Sequence, residues 1–246
     1  MSQNSREGTL IVIEGPDASG KETQTGRIVD WLRAEGFSGI TPSEERDLAD
    51  RMPGSYPSQS EKVEDSIEEG VWRLSFPTYG QTPGGRVVKS YLDGDLGTRD
   101  EIDVETIVDI YAADRKQFKE LIAEYLDKGG IIVCDRYREA NLIHQLVGFS
   151  GNEWEKKLEY IKSVDEDLPD ADEVFYLDIS PEEAARRMSD REKDIHEIDD
   201  DYMRESNLNG RKVAEHEGWT RIDGERDMSQ VTDDLKTDVR AILREP

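Results

Sequence analysis

Four consecutive apolar residues, Leu10 to Ile13, lead through Glu14 into Gly15-Pro16-Asp17-Ala18-Ser19-Gly20-Lys21, and a segment with helical apolar spacing follows at once. Nothing else in the chain restricts the fold as strongly. A strand with no polar face is expected to be a buried parallel strand, and Ile28, Trp31 and Leu32 fall on one face of a helix that Gly36 can stop. The turn between strand and helix fits the first seven positions of a phosphate-binding loop, in the setting such a loop requires. Its glycines let successive backbone N–H groups converge on phosphate oxygens, while the helix N-terminus and the Lys21 ammonium supply positive potential. An incidental glycine turn is the competing reading, and the flanking strand and helix weigh against it.

The rest of the chain repeats the alternation. Further strands are expected at 72–76, 131–134, 173–178 and 219–222, separated by helices at 87–92, 103–128, 182–217 and 229–244. Such an order implies right-handed crossovers and an α/β, three-layer fold: a five-stranded parallel sheet flanked by helices, with a helical lid and a ligand site at the carboxyl ends of the strands. Residues 1–246 are expected to form a single domain. Within it, 38–70, rich in Pro, Gly, Ser and Glu, reads as a flexible insertion, and 186–200 reads as the lid.

Charge narrows the partners. With 57 acidic and 32 basic side chains the formal charge is -25, which repels nucleic-acid phosphates. A disordered acidic chain is the alternative, but TLIVIEG, GGIIVCDRY and DEVFYLDIS are spaced as buried strands are. Only 12 lysines against 20 arginines among so many carboxylates fits a surface adapted to high salt, as in a halophile, although a merely acidic protein has the same arithmetic. Cys134 is the single cysteine, so neither an intrachain disulfide nor a cysteine metal cluster can form. The absence of a leader and of an apolar run of membrane length gives the expectation of a cytoplasmic protein with no membrane partner.

Several side chains stand out before any comparison. Arg115 interrupts an apolar stripe of Tyr111, Phe118 and Ile122, so it needs a partner, either an internal carboxylate or a ligand. Asp135 and Arg136 leave the end of a central strand, where α/β sheets place ligands, and the planar fork of arginine suits phosphate; a structural Asp–Arg pair is the alternative. Glu22 occupies the position where a phosphate-binding loop carries a Ser or Thr for magnesium, and the hydroxyl comes one residue later at Thr23. The segment from Arg186 to Glu197 mixes cations and acids as a solvated helix face also would.

IEGPDASGK, FPTYGQTPGG, YAADR, DRY and LPDADEVFYLDISP stand in the order in which thymidylate kinases carry them, and the chain resembles that family over nearly its whole length, excluding 38–70 and the extreme termini. The resemblance implies a P-loop nucleoside monophosphate kinase that converts dTMP to dTDP with ATP and Mg2+, and a homodimer. It implies that Gly15, Pro16, Asp17, Ala18, Ser19, Gly20, Lys21, Glu22 and Thr23 hold ATP, whose adenine lies near Asp223-Gly224. Phe76, Tyr79, Tyr111, Arg115, Arg136, Asn141 and His144 are then expected around the acceptor. In that picture Tyr111 stacks on thymine, Arg115 donates to its carbonyl and Arg136 holds the monophosphate.

By the same resemblance Lys21, Arg136, Arg191 and Asp17 are the catalytic candidates. Arg187, Arg191 and Glu197 are lid candidates, and Asp17, Thr23, Asp194 and Glu197 are metal candidates. The sequence departs from the family pattern at Glu22, at Thr78 where an arginine is common, at Ala18 where some members have an arginine, and at His144 where a tyrosine is common. Two alternatives follow: a kinase for another deoxynucleotide or deoxynucleoside, or a degenerate P-loop module that only binds nucleotide.

Overall fold

The computed structural model describes residues 7–37, 67–68, 70–188 and 200–243. Its strands are β1 (Thr9–Glu14), β2 (Ile67–Glu68), β3 (Val71–Ser75), β4 (Ile131–Asp135), β5 (Glu173–Asp178) and β6 (Thr220–Asp223). The first helices are α1 (Lys21–Glu35), α2 (Pro83–Leu92), α3 (Val104–Lys116), α4 (Lys119–Asp127) and α5 (Glu139–Gln145). They are followed by α6 (Gly151–Val164), α7 (Pro181–Met188), α8 (Asp200–Glu217) and α9 (Met228–Ile242).

Among the described residues the sheet runs β2-β3-β4-β1-β5-β6. Five strands are parallel, as the alternation requires. The two-residue β2 adds an antiparallel edge that the sequence did not suggest. Register places Ser75, Ile13 and Asp135 side by side and Asp178 against Asp223. The carboxyl ends of the strands therefore form one rim, where the chain leaves β1 and β4 as neighbours.

Successive residues of β1 point to opposite faces, and both faces are apolar because helices cover both. Leu10 and Val12 pack with Trp72, Leu74, Phe118 and Ile122, whereas Ile11 and Ile13 pack with Ile28, Leu32, Val231 and Leu235. All four β1 residues are fully buried, each contributing at most about 1.5–3 kcal/mol of transfer free energy. Gly36 ends α1 as expected: at φ 73° its N–H reaches Arg33 O at 3.1 Å, and that of Phe37 reaches Leu32 O at 3.3 Å.

Two differences from the expected elements have local causes. The helix expected at 103–128 is broken into α3 and α4. There the Gln117 amide donates to Asp114 O at 3.0 Å, and the Phe118 N–H bonds Arg115 O at 3.0 Å. The carbonyl that a continuous helix would give to Phe118 is thus occupied by a side chain. The helix α6 has no counterpart among the expected elements, although Trp154, Leu158 and Ile161 bury its inner face at helical spacing.

The loop before α2 is packed against that helix without room for a methyl group. The Thr82 hydroxyl caps α2 by accepting from the Gly85 N–H at 3.0 Å. A Cβ on Gly85 would lie 2.2 Å from Tyr79 O and 2.8 Å from Thr78 C, both backbone atoms. Gly85→Ala is therefore expected to destabilise by about 1–3 kcal/mol, which thermal unfolding would register as a melting temperature lower by roughly 2–10 °C. An unchanged midpoint would show that loop and helix separate freely.

Candidate active site

The phosphate-type loop leaves β1 at Glu14 and enters α1 at Lys21. Gly15 passes so close to β5 that a Cβ there would sit 2.8 Å from Leu177 O. Gly20 supplies the left-handed turn into the helix at φ 89°, and Ala18 adopts φ 60° without being glycine. Lys21 is 9% exposed, and its ammonium donates to Pro16 O at 3.2 Å and to Asp17 Oδ1 at 3.3 Å. Arg136 donates to that same carboxylate oxygen. Its backbone, at φ 63°, turns back so that its N–H reaches Ile13 O at 3.2 Å. One carboxylate thus sits between two cations at the junction of β1 and β4.

The charges act on one another. Burial disfavours the Asp17 carboxylate, but Arg136 and then Lys21 outweigh it and hold the carboxyl well below the usual range. Burial and the neighbouring Arg136 pull the Lys21 ammonium down. Burial pushes Asp135 up against the opposing pull of Lys21, and its Oδ1 has no hydrogen-bond partner among the described residues. Glu14, 1% exposed and accepting the Tyr137 N–H at 3.1 Å, is pushed up by burial to about 8.

The Glu14 shift has a definite sign. The folded state holds the Glu14 proton more tightly than the unfolded chain, whose ordinary value is 4.5, so this contribution is fully present below pH 4.5 and is lost as pH rises to about 8. Glu14→Gln keeps an acceptor for Tyr137 and removes the titration. Its stability gain over the parent is expected to grow across that interval to the order of a few kcal/mol. Denaturant melts at several pH values would read this, and a pH-independent difference would refute it.

A cavity of about 480 Å³ opens on the rim. From the loop it is lined by Asp17, Ala18, Gly20, Lys21, Glu22 and Thr23, with Gly15, Pro16 and Ser19 buried behind them. Glu22 and Thr23 are both exposed, and the Glu22 carbonyl accepts from Arg73 at 3.4 Å. Every acceptor candidate lines the same space: Phe76, Tyr79, Tyr111, Arg115, Arg136, Asn141 and His144.

Neighbouring residues fix several of these side chains. Phe76 packs edge-on against Phe118 at 5.5 Å. Asn141 donates to Val108 O at 3.4 Å, and His144 Nδ1 lies 3.2 Å from Tyr202 Oη. Asp114 fixes the loop that carries Phe76 and Tyr79, accepting from Thr78 N at 2.7 Å, Thr78 Oγ1 at 2.5 Å and Thr82 Oγ1 at 3.0 Å. Arg115, beside it on α3, is 2% exposed and pairs with Asp165 at 2.5 Å. It has both partners that the sequence left open, an internal carboxylate and a cavity.

Arg187 also lines the cavity and links the phosphate-type loop to the turn after β6, donating to Ala18 O at 3.3 Å and to Gly224 O at 3.0 Å. Arg191, Asp194 and Glu197 lie outside the described residues, as do most of 38–70 and of the expected lid 186–200. Tyr202 and Gln145 line the cavity without having been singled out in the sequence. Tyr202 is an isolated aromatic in the charged run DDYMRE, and that isolation was its only signal.

Asp135 offers a hard, buried, unpartnered oxygen beside Lys21, the kind of ligand that magnesium takes together with waters and substrate phosphates. Among the described residues no group of three or more His, Cys, Asp or Glu could hold a metal, and no helix is long and apolar enough to cross a membrane.

The chain is similar to known proteins over most of its length. A model of the thymidylate kinase family matches residues 57–235. The thymidylate kinase of Exiguobacterium sibiricum is 27% identical over 245 residues, covering 96% of this chain and 96% of that protein. That of Caenorhabditis elegans is 28% identical over 191 residues, or 76% of this chain and 70% of its own. Among solved structures, a thymidylate kinase from Candida albicans has the same fold, with a TM-score of 0.66 and 19% identity over 97% of this chain and 93% of that one.

Proposed function

This chain belongs to the thymidylate kinase family, and from that premise we propose that its cavity holds dTMP against the phosphates of ATP for direct transfer of the γ-phosphoryl group. The enzyme is a nucleoside monophosphate kinase that phosphorylates dTMP to dTDP. One observation carries the assignment of roles: Lys21 of the phosphate loop lines the same cavity as Tyr111, Arg115 and Arg136. Donor and acceptor groups therefore share one space.

Phosphoryl transfer asks a protein for alignment and charge neutralisation rather than covalent chemistry. The loop N–H groups and Lys21 cradle the ATP phosphates, and Arg136 grips the dTMP phosphate with a two-pronged donor. Tyr111 stacks on the base, Arg115 donates to its carbonyl, and Asn141 and His144 face base and sugar. Arg187, already bonded to Ala18 and Gly224, closes over the donor side, with Arg191 as the further lid cation. Asp135, Thr23 and Asp17 are the candidates for holding Mg2+ among the described residues, with Asp194 and Glu197 as further candidates. When bound, the ion neutralises charge on the β- and γ-phosphates. Glu22 is exposed at the rim, and in this reading Thr23, Asp135 and water fill the metal shell.

The whole of 1–246 acts as one catalytic domain, works in the cytoplasm at high salt and pairs as a homodimer. The test is a panel of nucleoside monophosphates with ATP and Mg2+ in molar KCl. The expected result is that dTMP turns over faster than dUMP, UMP or CMP. Equal rates across the panel would sink the assignment of dTMP as preferred acceptor. ATP binding without phosphorylation of any acceptor, restored to turnover by Glu22→Thr, would mark a degenerate binding module instead.

A further inference from the structure

Asp165 follows the last residue of α6, fifty positions beyond Arg115 in sequence. Its Oδ2 takes the Arg115 Nη2 hydrogen bond at 2.5 Å, and both side chains are 2% exposed. Arg115 lines the cavity and Asp165 does not. The arginine Nε is buried with no partner among the described residues. We propose that Asp165 is a positioning residue for the acceptor nucleobase, fixing the plane of the Arg115 guanidinium so that its remaining donors meet a base carbonyl at one set angle. The inference rests on the reading of Arg115 as the base contact.

Two arguments support it. An arginine has several rotatable bonds, and ordering them only when a ligand arrives would weaken binding, whereas a carboxylate that orders them beforehand removes that cost. The second concerns charge. Paired with Asp165, Arg115 is close to neutral overall, so it can read the dipole of an uncharged base without competing with Arg136 for the phosphate. A purely structural purpose is a weaker explanation, since attraction within a buried pair roughly cancels its desolvation and apolar side chains of similar volume would hold α3 to this loop as well.

The experiment measures KM for dTMP, KM for ATP, kcat and melting temperature in Asp165→Asn, Asp165→Ala, Arg115→Met and the double variant Arg115→Met/Asp165→Leu. Asp165→Ala is expected to raise KM for dTMP about tenfold or more, with KM for ATP and kcat within about twofold of the parent. Asp165→Asn, which keeps an acceptor oxygen, is expected to raise it less. In the Arg115→Met background, loss of Asp165 is expected to add less than about twofold, because there is no guanidinium left to orient.

If Asp165→Ala does not fold, this comparison of the double variant with Arg115→Met decides alone, since apolar groups replace both charges. The proposal is overturned if KM for dTMP is unchanged in a folded Asp165→Ala, if both KM values rise together, or if Asp165→Leu costs a further tenfold without Arg115. A parent enzyme that turns over dTMP while these variants fail the pattern removes the role of Asp165 only. A parent that does not phosphorylate dTMP removes the assigned function and this role with it.

Discussion

Lys21→Met is expected to lower kcat for dTMP phosphorylation by about 10³-fold, and by at least about 10²-fold. The lysine is 9% exposed at the first position of α1, where its ammonium adds to the positive potential of the helix N-terminus. Charge that develops on the transferring phosphoryl group in so enclosed a site is stabilised far more strongly than in water. Methionine is unbranched and of similar length, so it keeps the packing while deleting the charge. Steady-state turnover at saturating ATP, with a melting curve to confirm folding, is the measurement. A folded variant within tenfold of the parent would remove the loop from the mechanism.

Arg136→Met should be almost as damaging, with kcat/KM for dTMP falling by about 10³-fold, or roughly 4 kcal/mol of transition-state stabilisation. Two effects act in the same direction. The acceptor phosphate loses a planar two-pronged donor, and Asp17 loses one of the two cations that now neutralise it, so that its carboxylate repels the incoming dianion more strongly. Arg136→Lys restores the charge without the fork and should recover only part of the loss. Initial rates at varied dTMP, with a separate titration of ATP binding, would check this. A loss confined to ATP affinity would place Arg136 on the donor side instead.

How much of this was legible in the sequence depended on whether the signal was local. The loop from Gly15 to Lys21 and the stop at Gly36 follow from residue-by-residue backbone preferences, and the structure bears them out. The conflict at Arg115, a cation on an apolar stripe, was also visible, but its carboxylate was not. Asp165 is one acid in the run DEDLPDAD, and nothing local separates it from its neighbours. Only the packing of α6 against the rest of the molecule selects it. The break between α3 and α4 was hidden for the same reason: Gln117 leaves the helical pattern because Gly84 and Thr82, more than thirty residues earlier, bond its side chain. Tyr202 and His144 come together from α8 and α5, a pairing that periodicity within either segment cannot show.

The strand order sets a timetable for the growing polypeptide. The segment that becomes β1 is made early, but its two neighbours in the sheet are residues 131–135 and 173–178. At roughly 5–20 residues per second a ribosome needs many seconds to release the second of these after the first strand has emerged. During that interval TLIVIE, apolar on both faces, has neither strand partner available. Nascent chains halted before residue 131 should therefore depend on chaperones that shield apolar segments, and those released past residue 178 should bury the segment unaided.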